Sequence, residues 1–126
     1  MLTGKAKIDF YEYLLNGIDF SNSEKEMIRF QKSIRIKLFN SYEDIVQHAL
    51  IIEWLDEQEI FIKINPYIGG GAVAFYPTIV YRNEQFIDCF DDLEDEQGSL
   101  LYFGKRSEAV EIAIKSAVEI YNSKNF

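Results

Sequence analysis

The run Trp54-Leu55-Asp56-Glu57-Gln58-Glu59-Ile60-Phe61-Ile62-Lys63-Ile64-Asn65-Pro66 changes its hydrophobic period midway. Up to Trp54 the apolar residues recur at helical spacing, with Tyr42, Ile45, Val46, Ala49, Leu50 and Trp54 on one stripe. From Glu59 to Asn65 they alternate. Ile60, Ile62 and Ile64 fall on one side and Phe61 and Lys63 on the other, as in a half-buried strand. The chain before this switch reads as helix; the chain after it reads as strands, until a last helix. The switch therefore decides the class, α+β.

Toward the N-terminus, Thr3 can cap a helix that runs to about Asn16, with Ala6, Phe10 and Leu14 on one stripe and Gly17 as its C-terminal glycine. Ser21 with Glu24, or Ser23 with Glu26, fits a capping box. Either opens a second helix whose apolar side is Met27, Phe30, Ile34 and Leu38, with Lys25, Arg29 and Lys32 along an outer face. Asn40-Ser41 starts the third helix, with Glu43 and Asp44 in its first turn. Whether a kink or a loop separates the second from the third is left open by the pattern.

Toward the C-terminus, Pro66 is expected to end the first strand, and Gly69-Gly70-Gly71 to reverse the chain. The second strand runs from Ala72 to Tyr81. It carries Val73, Phe75, Ile79 and Tyr81 on one parity, and Tyr76 and Val80 on the other. Pro77 cannot donate to a ladder, so an edge position or a bulge is expected there. Arg82-Asn83-Glu84 turns into a third strand over Gln85–Phe90, residues 91–98 form an acidic loop, and Leu100–Phe103 can add a short fourth strand. Ser107 caps a closing helix with Val110, Ala113, Ile114, Ala117, Val118 and Tyr121 on one face. The expected architecture is helices packed on one face of a three- or four-stranded antiparallel sheet, in the order αααβββ(β)α. Residues 1–126 make a single domain.

The 126 residues hold 21 Asp or Glu against 13 Lys or Arg, a formal net charge of −8. A nucleic-acid binder carries the opposite sign because cations must replace phosphate counterions, so direct DNA or RNA binding is not expected. The same charge argues against attraction to an anionic membrane. No apolar run approaches the length of a membrane span. Met1-Leu2-Thr3-Gly4-Lys5 lacks the apolar stretch of a secretory signal, and the expected location is cytoplasmic.

Cys89 and His48 are single copies, so no intramolecular disulfide, CxxC pair or Cys/His zinc cluster can be assembled. Neither a metal nor a cofactor is expected. Cys89, flanked by apolar residues, reads as a small structural hydrophobe rather than the nucleophile of a Cys–His dyad. No GxSxG elbow is present, and an enzyme is the least expected class.

Three features compete as sites. The densest acidic run is Asp88, Asp91, Asp92, Glu94, Asp95 and Glu96; its spacing is not that of a calcium loop, and a solvated loop that discourages edge pairing is the plain alternative to a partner-binding surface. Gly69, Gly70 and Gly71 lead into a strand with no following Lys-Ser/Thr, which suits a hairpin tip better than a phosphate cradle. With Tyr76 and Arg82 they could still border a small-molecule pocket. The basic stretch Lys25, Arg29, Lys32, Arg35 and Lys37 could hold an acidic partner or the chain's own acidic run. Tyr11, Tyr13, Tyr67, Tyr76, Tyr81, Tyr102 and Trp54 are of the types that anchor interfaces and equally of those that line core edges.

Leu2-Thr3-Gly4-Lys5-Ala6-Lys7 with Phe10 and Leu14, and Arg106-Ser107-Glu108-Ala109 through Ala113-Ile114 to Glu119-Ile120-Tyr121-Asn122, resemble the termini of small proteins encoded by phages and prophages of Bacteroidetes. The resemblance covers the two terminal helices, about a third of the chain. It implies a phage setting and carries over no catalytic residue. The leading expectation is a non-enzymatic acidic binding protein that occupies a basic surface on a host protein such as a nuclease or defence factor. The alternative is a small-molecule binder or sponge near the Gly69–Gly71 loop. The oligomeric state is not legible.

Overall fold

The computed structural model describes residues 1–15, 24–82 and 88–124. Its elements are α1 (Gly4–Leu14), α2 (Lys25–Ser41), α3 (Asp44–Glu57), β1 (Ile60–Gly69), β2 (Ala72–Arg82), β3 (Asp88–Asp92) and α4 (Arg106–Ser123). The three strands form one antiparallel sheet in the order β1-β2-β3, so the α+β reading with three preceding helices and one closing helix holds. A regular fourth strand does not form: residues 100–103 contribute single bridges, Glu94 with Leu100 and Phe75 with Phe103.

The core lies on one face of the sheet. Alternation turns Ile60, Ile62, Pro77 and Ile79 toward the helices, where α4 and α3 cover them. Burial on α4 follows its 3.6 period: Ala109, Ala113, Ile114, Ala117, Val118 and Tyr121 are all buried. An aromatic cluster closes the far side. Phe10 meets Phe39 at 5.0 Å and Trp54 at 5.8 Å, both edge-on, and Trp54 meets Tyr121 at 4.8 Å.

The chain termini clasp each other. Thr3 occupies the N-cap of α1 but makes no capping bond of its own. Asn122 at the end of α4 does that work from across the fold: its Oδ1 accepts the Ala6 N–H at 2.8 Å, and its Nδ2 donates to the Thr3 carbonyl at 2.9 Å. Gly4 has φ +56, and a Cβ there would lie 3.2 Å from the Asn122 carboxamide. Both facts favour glycine at this position. Beside the clasp, the Tyr121 hydroxyl and Lys5 Nζ donate to the same Asp9 oxygen.

Several boundaries differ from expectation for identifiable reasons. Both prolines lie inside strands. The reciprocal bonds between Phe75 and Phe103 show that Phe75, and by alternation Pro77, turn their backbone groups away from β1. Pro77 therefore faces the side where β3 has already ended, since the last β3 pair is Thr78 with Asp92. Pro66, paired with Phe75, turns its missing donor to the open edge of β1. β2 is the central strand, not an edge.

Gly70 and Gly71, at φ +58 and +77, make a two-residue hairpin turn that holds Gly69 opposite Ala72. Asn40 and Ser41 end α2 instead of starting α3, and a loop at Tyr42–Glu43 separates the two helices. Ser107 lies in the first turn of α4, with Lys105 at the N-cap. The buried side of α3 is Ile51, Trp54 and Leu55, which leaves Ile45 and Val46 exposed. Gly17, both capping-box serines and the turn at Asn83-Glu84 lie outside the described residues.

Candidate binding face

The helices cover one side of the sheet, and the residues of opposite parity form its other face. Register aligns them in rows across the strands. Phe61, Val80 and Phe90 make an apolar row; Lys63, Thr78 and Asp92 make a polar one; Asn65 pairs with Tyr76, and Tyr67 with Ala74. Phe61 is 45% exposed and Phe90 70%, on a face where an antiparallel sheet ordinarily presents polar side chains.

The polar row is wired. Asn65 Nδ2 donates to the Thr78 hydroxyl at 2.8 Å and to the Tyr76 carbonyl at 3.0 Å, and Thr78 Oγ1 donates to Asp92 Oδ1 at 2.5 Å. This relay fixes the Asp92 carboxylate between the apolar row and an aromatic group. In that group Tyr102 packs on Tyr67 at 5.3 Å and on Tyr76 at 5.6 Å. Tyr67 and Tyr102 are exposed, and aromatic rings of this kind supply interface anchors.

The acidic run is divided by the strand that carries half of it. β3 extends to Asp92, so Asp91 and Asp92 belong to a strand and point to opposite faces. Asp91 accepts from the Tyr81 hydroxyl at 3.0 Å, and burial together with this carboxylate pushes the Tyr81 pKa up to about 12. Asp95 is structural. Its Oδ1 accepts the N–H groups of Gln97 at 2.9 Å and Ser99 at 3.0 Å, closing a turn that Gly98 completes at φ +80. Glu94 and Glu96 are exposed beside that turn. Asp88 stands opposite Arg82 in register. The acids therefore do not act as one loop: Asp92 lies on the open face, Asp91 and Asp95 hold the fold, and Glu94 and Glu96 extend into solvent. Among the described residues, no ion pair joins the cations of α2 to this run.

The residues of the proposed small-molecule pocket do not come together. Gly69, Gly70 and Gly71 sit at the hairpin tip, and Arg82 is at the other end of β2, about 33 Å away at 3.3 Å per residue. Tyr76 lies between them on the open face. Arg82 does border a concavity of about 260 Å³ with Glu59, Phe61, Val80 and Tyr81, at the edge of the apolar row. Cys89 is half-buried on β3 opposite Tyr81.

Phe61, Asn65, Thr78 and Phe90 were not singled out from the sequence. Parity held the signal: once Ile60, Ile62 and Ile64 face the core, Phe61 must face away, and the partners of Phe61 across the ladder follow. Among the described residues no cluster of three or more His, Cys, Asp or Glu could hold a metal, and no helix is long and apolar enough to cross a membrane. Comparison of the chain with protein-family models, with curated proteins and with solved structures finds no match.

Proposed function

We propose that the chain is a non-enzymatic binding protein that engages a protein partner with a basic surface through the open face of its sheet. The observation that carries this reading is the juxtaposition, on one uncovered face, of exposed Phe61 and Phe90 with the fixed carboxylate of Asp92. The rings supply contact area that excludes water. Asp92, with Glu94 and Glu96 beside it and the net charge of −8 behind it, speeds encounter and selects for positive partners. The resemblance of the terminal helices to phage proteins directs the proposal to a host factor, such as a nuclease or defence protein in the bacterial cytoplasm. The apolar and acidic groups are separable by mutation. A partner captured from a Bacteroidetes lysate and purified is to be titrated with the parent and two variants. Phe61→Ser/Phe90→Ser is expected to raise the dissociation rate at least tenfold. Asp92→Asn/Glu94→Gln/Glu96→Gln is expected to slow association and flatten its salt dependence. A partner that binds both folded variants as it binds the parent contradicts the proposal.

A further inference from the structure

A second surface is left apolar, on the helices. The stripe of α2 (Met27, Phe30, Ile34 and Leu38) is exposed along its whole length, Phe30 by 62%. Only Phe39 at the C-terminal end of α2 enters the core, against Phe10 of α1. At 100° per residue, Arg35 and Lys37 flank the stripe on its two sides, while Lys25, Arg29 and Lys32 lie behind it. The helix carries five cations and one acid in 17 residues; the rest of the chain holds 8 Lys or Arg against 20 Asp or Glu.

A groove of about 560 Å³ runs between the N-terminal halves of α3 and α4. It is lined by the apolar Ile45, Ala49, Ile52 and Val110 and by the acidic Asp44, Glu108 and Glu111. Ile45 is 74% exposed. Arg106, the cation in the lining, is held over the Phe75 ring at 4.9 Å, and His48 and Ser107 also line the groove. A two-residue loop joins the helix of this stripe to the first helix of the groove. Leu38, Tyr42 and Ile45 follow one another across the loop between α2 and α3, and all three are exposed.

We propose that α2 of one copy lies in the α3–α4 groove of a second copy, and that the same contact is repeated in reverse to make a two-fold dimer. Charge selects this arrangement over the simpler pairing of two α2 stripes. Stripe on stripe would bring Arg35 and Lys37 of both copies along one seam, whereas the groove sets carboxylates opposite them. The two lengths are comparable. The stripe from Met27 to Leu38 spans about 16 Å at 1.5 Å per residue, and the α3 side of the groove, Asp44 to Ile52, spans about 12 Å. A contact through four side chains falls short of the roughly 1,200 Å² that stable interfaces bury, and reciprocity makes it twice. A two-fold axis between the two contacts lets each copy give and receive a helix. The arrangement is the helix-in-groove mode of recognition, with anchors at i, i+3, i+7 and i+11. It uses neither Asp92 nor the open face of the sheet.

Sedimentation equilibrium of the full chain over micromolar to submillimolar concentration tests the proposal. The parent is expected at twice its 14.7 kDa mass in low salt, dissociating as salt rises. Ile34→Asp and, on the other side of the contact, Ile45→Asp are each expected to weaken the dimer at least tenfold, with circular dichroism showing a folded chain. Glu108→Lys/Glu111→Lys is expected to weaken it as well, and adding Arg35→Glu/Lys37→Glu to the same chain is expected to restore it. A parent that stays monomeric throughout overturns the proposal; so does a dimer indifferent to these changes, or one that the charge exchange fails to restore.

Discussion

α4 and α2 are amphipathic helices of 18 and 17 residues, and the fold treats them in opposite ways. Both carry an apolar stripe at helical spacing. The stripe of α4 is buried against the sheet, α3 and α1, whereas that of α2 faces solvent over about three turns. Periodicity tells which side of a helix is apolar. It does not tell whether the same chain supplies the cover. The composition of the stripes differs in a way that explains the outcome. α4 buries three alanines, Ala109, Ala113 and Ala117, which let neighbouring elements come close, together with the larger Ile114 and Val118. α2 offers Met27, Phe30, Ile34 and Leu38, a ridge of large side chains, with cations on both of its flanks.

The contrast can be broken at its strong side first. Ile114→Ala removes a fully buried α4 side chain of the core and is expected to cost about 2–5 kcal/mol, read as a fall in the urea midpoint. A midpoint that stays put would show that α4 is not the core helix. A smaller loss is expected at the clasp. Asn122→Ala removes the acceptor for the Ala6 N–H and should cost about 1 kcal/mol, the ordinary worth of an N-cap, with amide exchange accelerating at Ala6.

The core half of this comparison was open to reading in the sequence, and the surface half only partly. The change of period at Glu59–Ile60 and the six-residue face of α4 depend on local spacing, which is printed in the chain. The rotation of α3 was not legible, because Ile45, Val46, Ile51, Ile52 and Leu55 leave little of the helix polar, and tertiary packing chose among its sides. Pro66 and Pro77 misled because the cost of a missing donor depends on which neighbour it faces, and that is set by strand order. The acidic run likewise read as one feature. Its charges are adjacent in sequence, yet β alternation sends Asp91 to Tyr81 and Asp92 to Thr78. The capping of α1 by Asn122 spans almost the whole chain, beyond the reach of any local pattern.

Alkali sharpens the comparison, since the perturbed tyrosines belong to the packed side. Burial raises the pKa of Tyr121 well above the ordinary 10.0, with the Asp9 carboxylate adding to the shift, and raises that of Tyr81 to about 12. A phenol with a raised folded-state pKa contributes stability that is complete below pH 10 and is lost as pH climbs toward the folded value. The urea midpoint is therefore expected to fall above pH 10, and Tyr121→Phe should shallow that fall. In acid the sign is reversed. The hydrogen bonds from Lys5 and then Tyr121 hold Asp9 below its ordinary 3.8, so its contribution persists above that pH and disappears as pH drops through the lower folded value. An alkaline limb unchanged in Tyr121→Phe would remove Tyr121 from this account.

The most direct test of the difference between the two helices is the urea midpoint of Phe30→Ser/Ile34→Ser, measured beside Ile114→Ala at a concentration low enough to keep the parent monomeric. Surface substitutions away from packed features change stability by no more than about 0.5 kcal/mol. The double variant is expected to keep the parent's midpoint while Ile114→Ala loses it. A double variant that falls as far as Ile114→Ala would mean that the stripe of α2 is buried by its own chain, and the contrast between the two helices would be wrong.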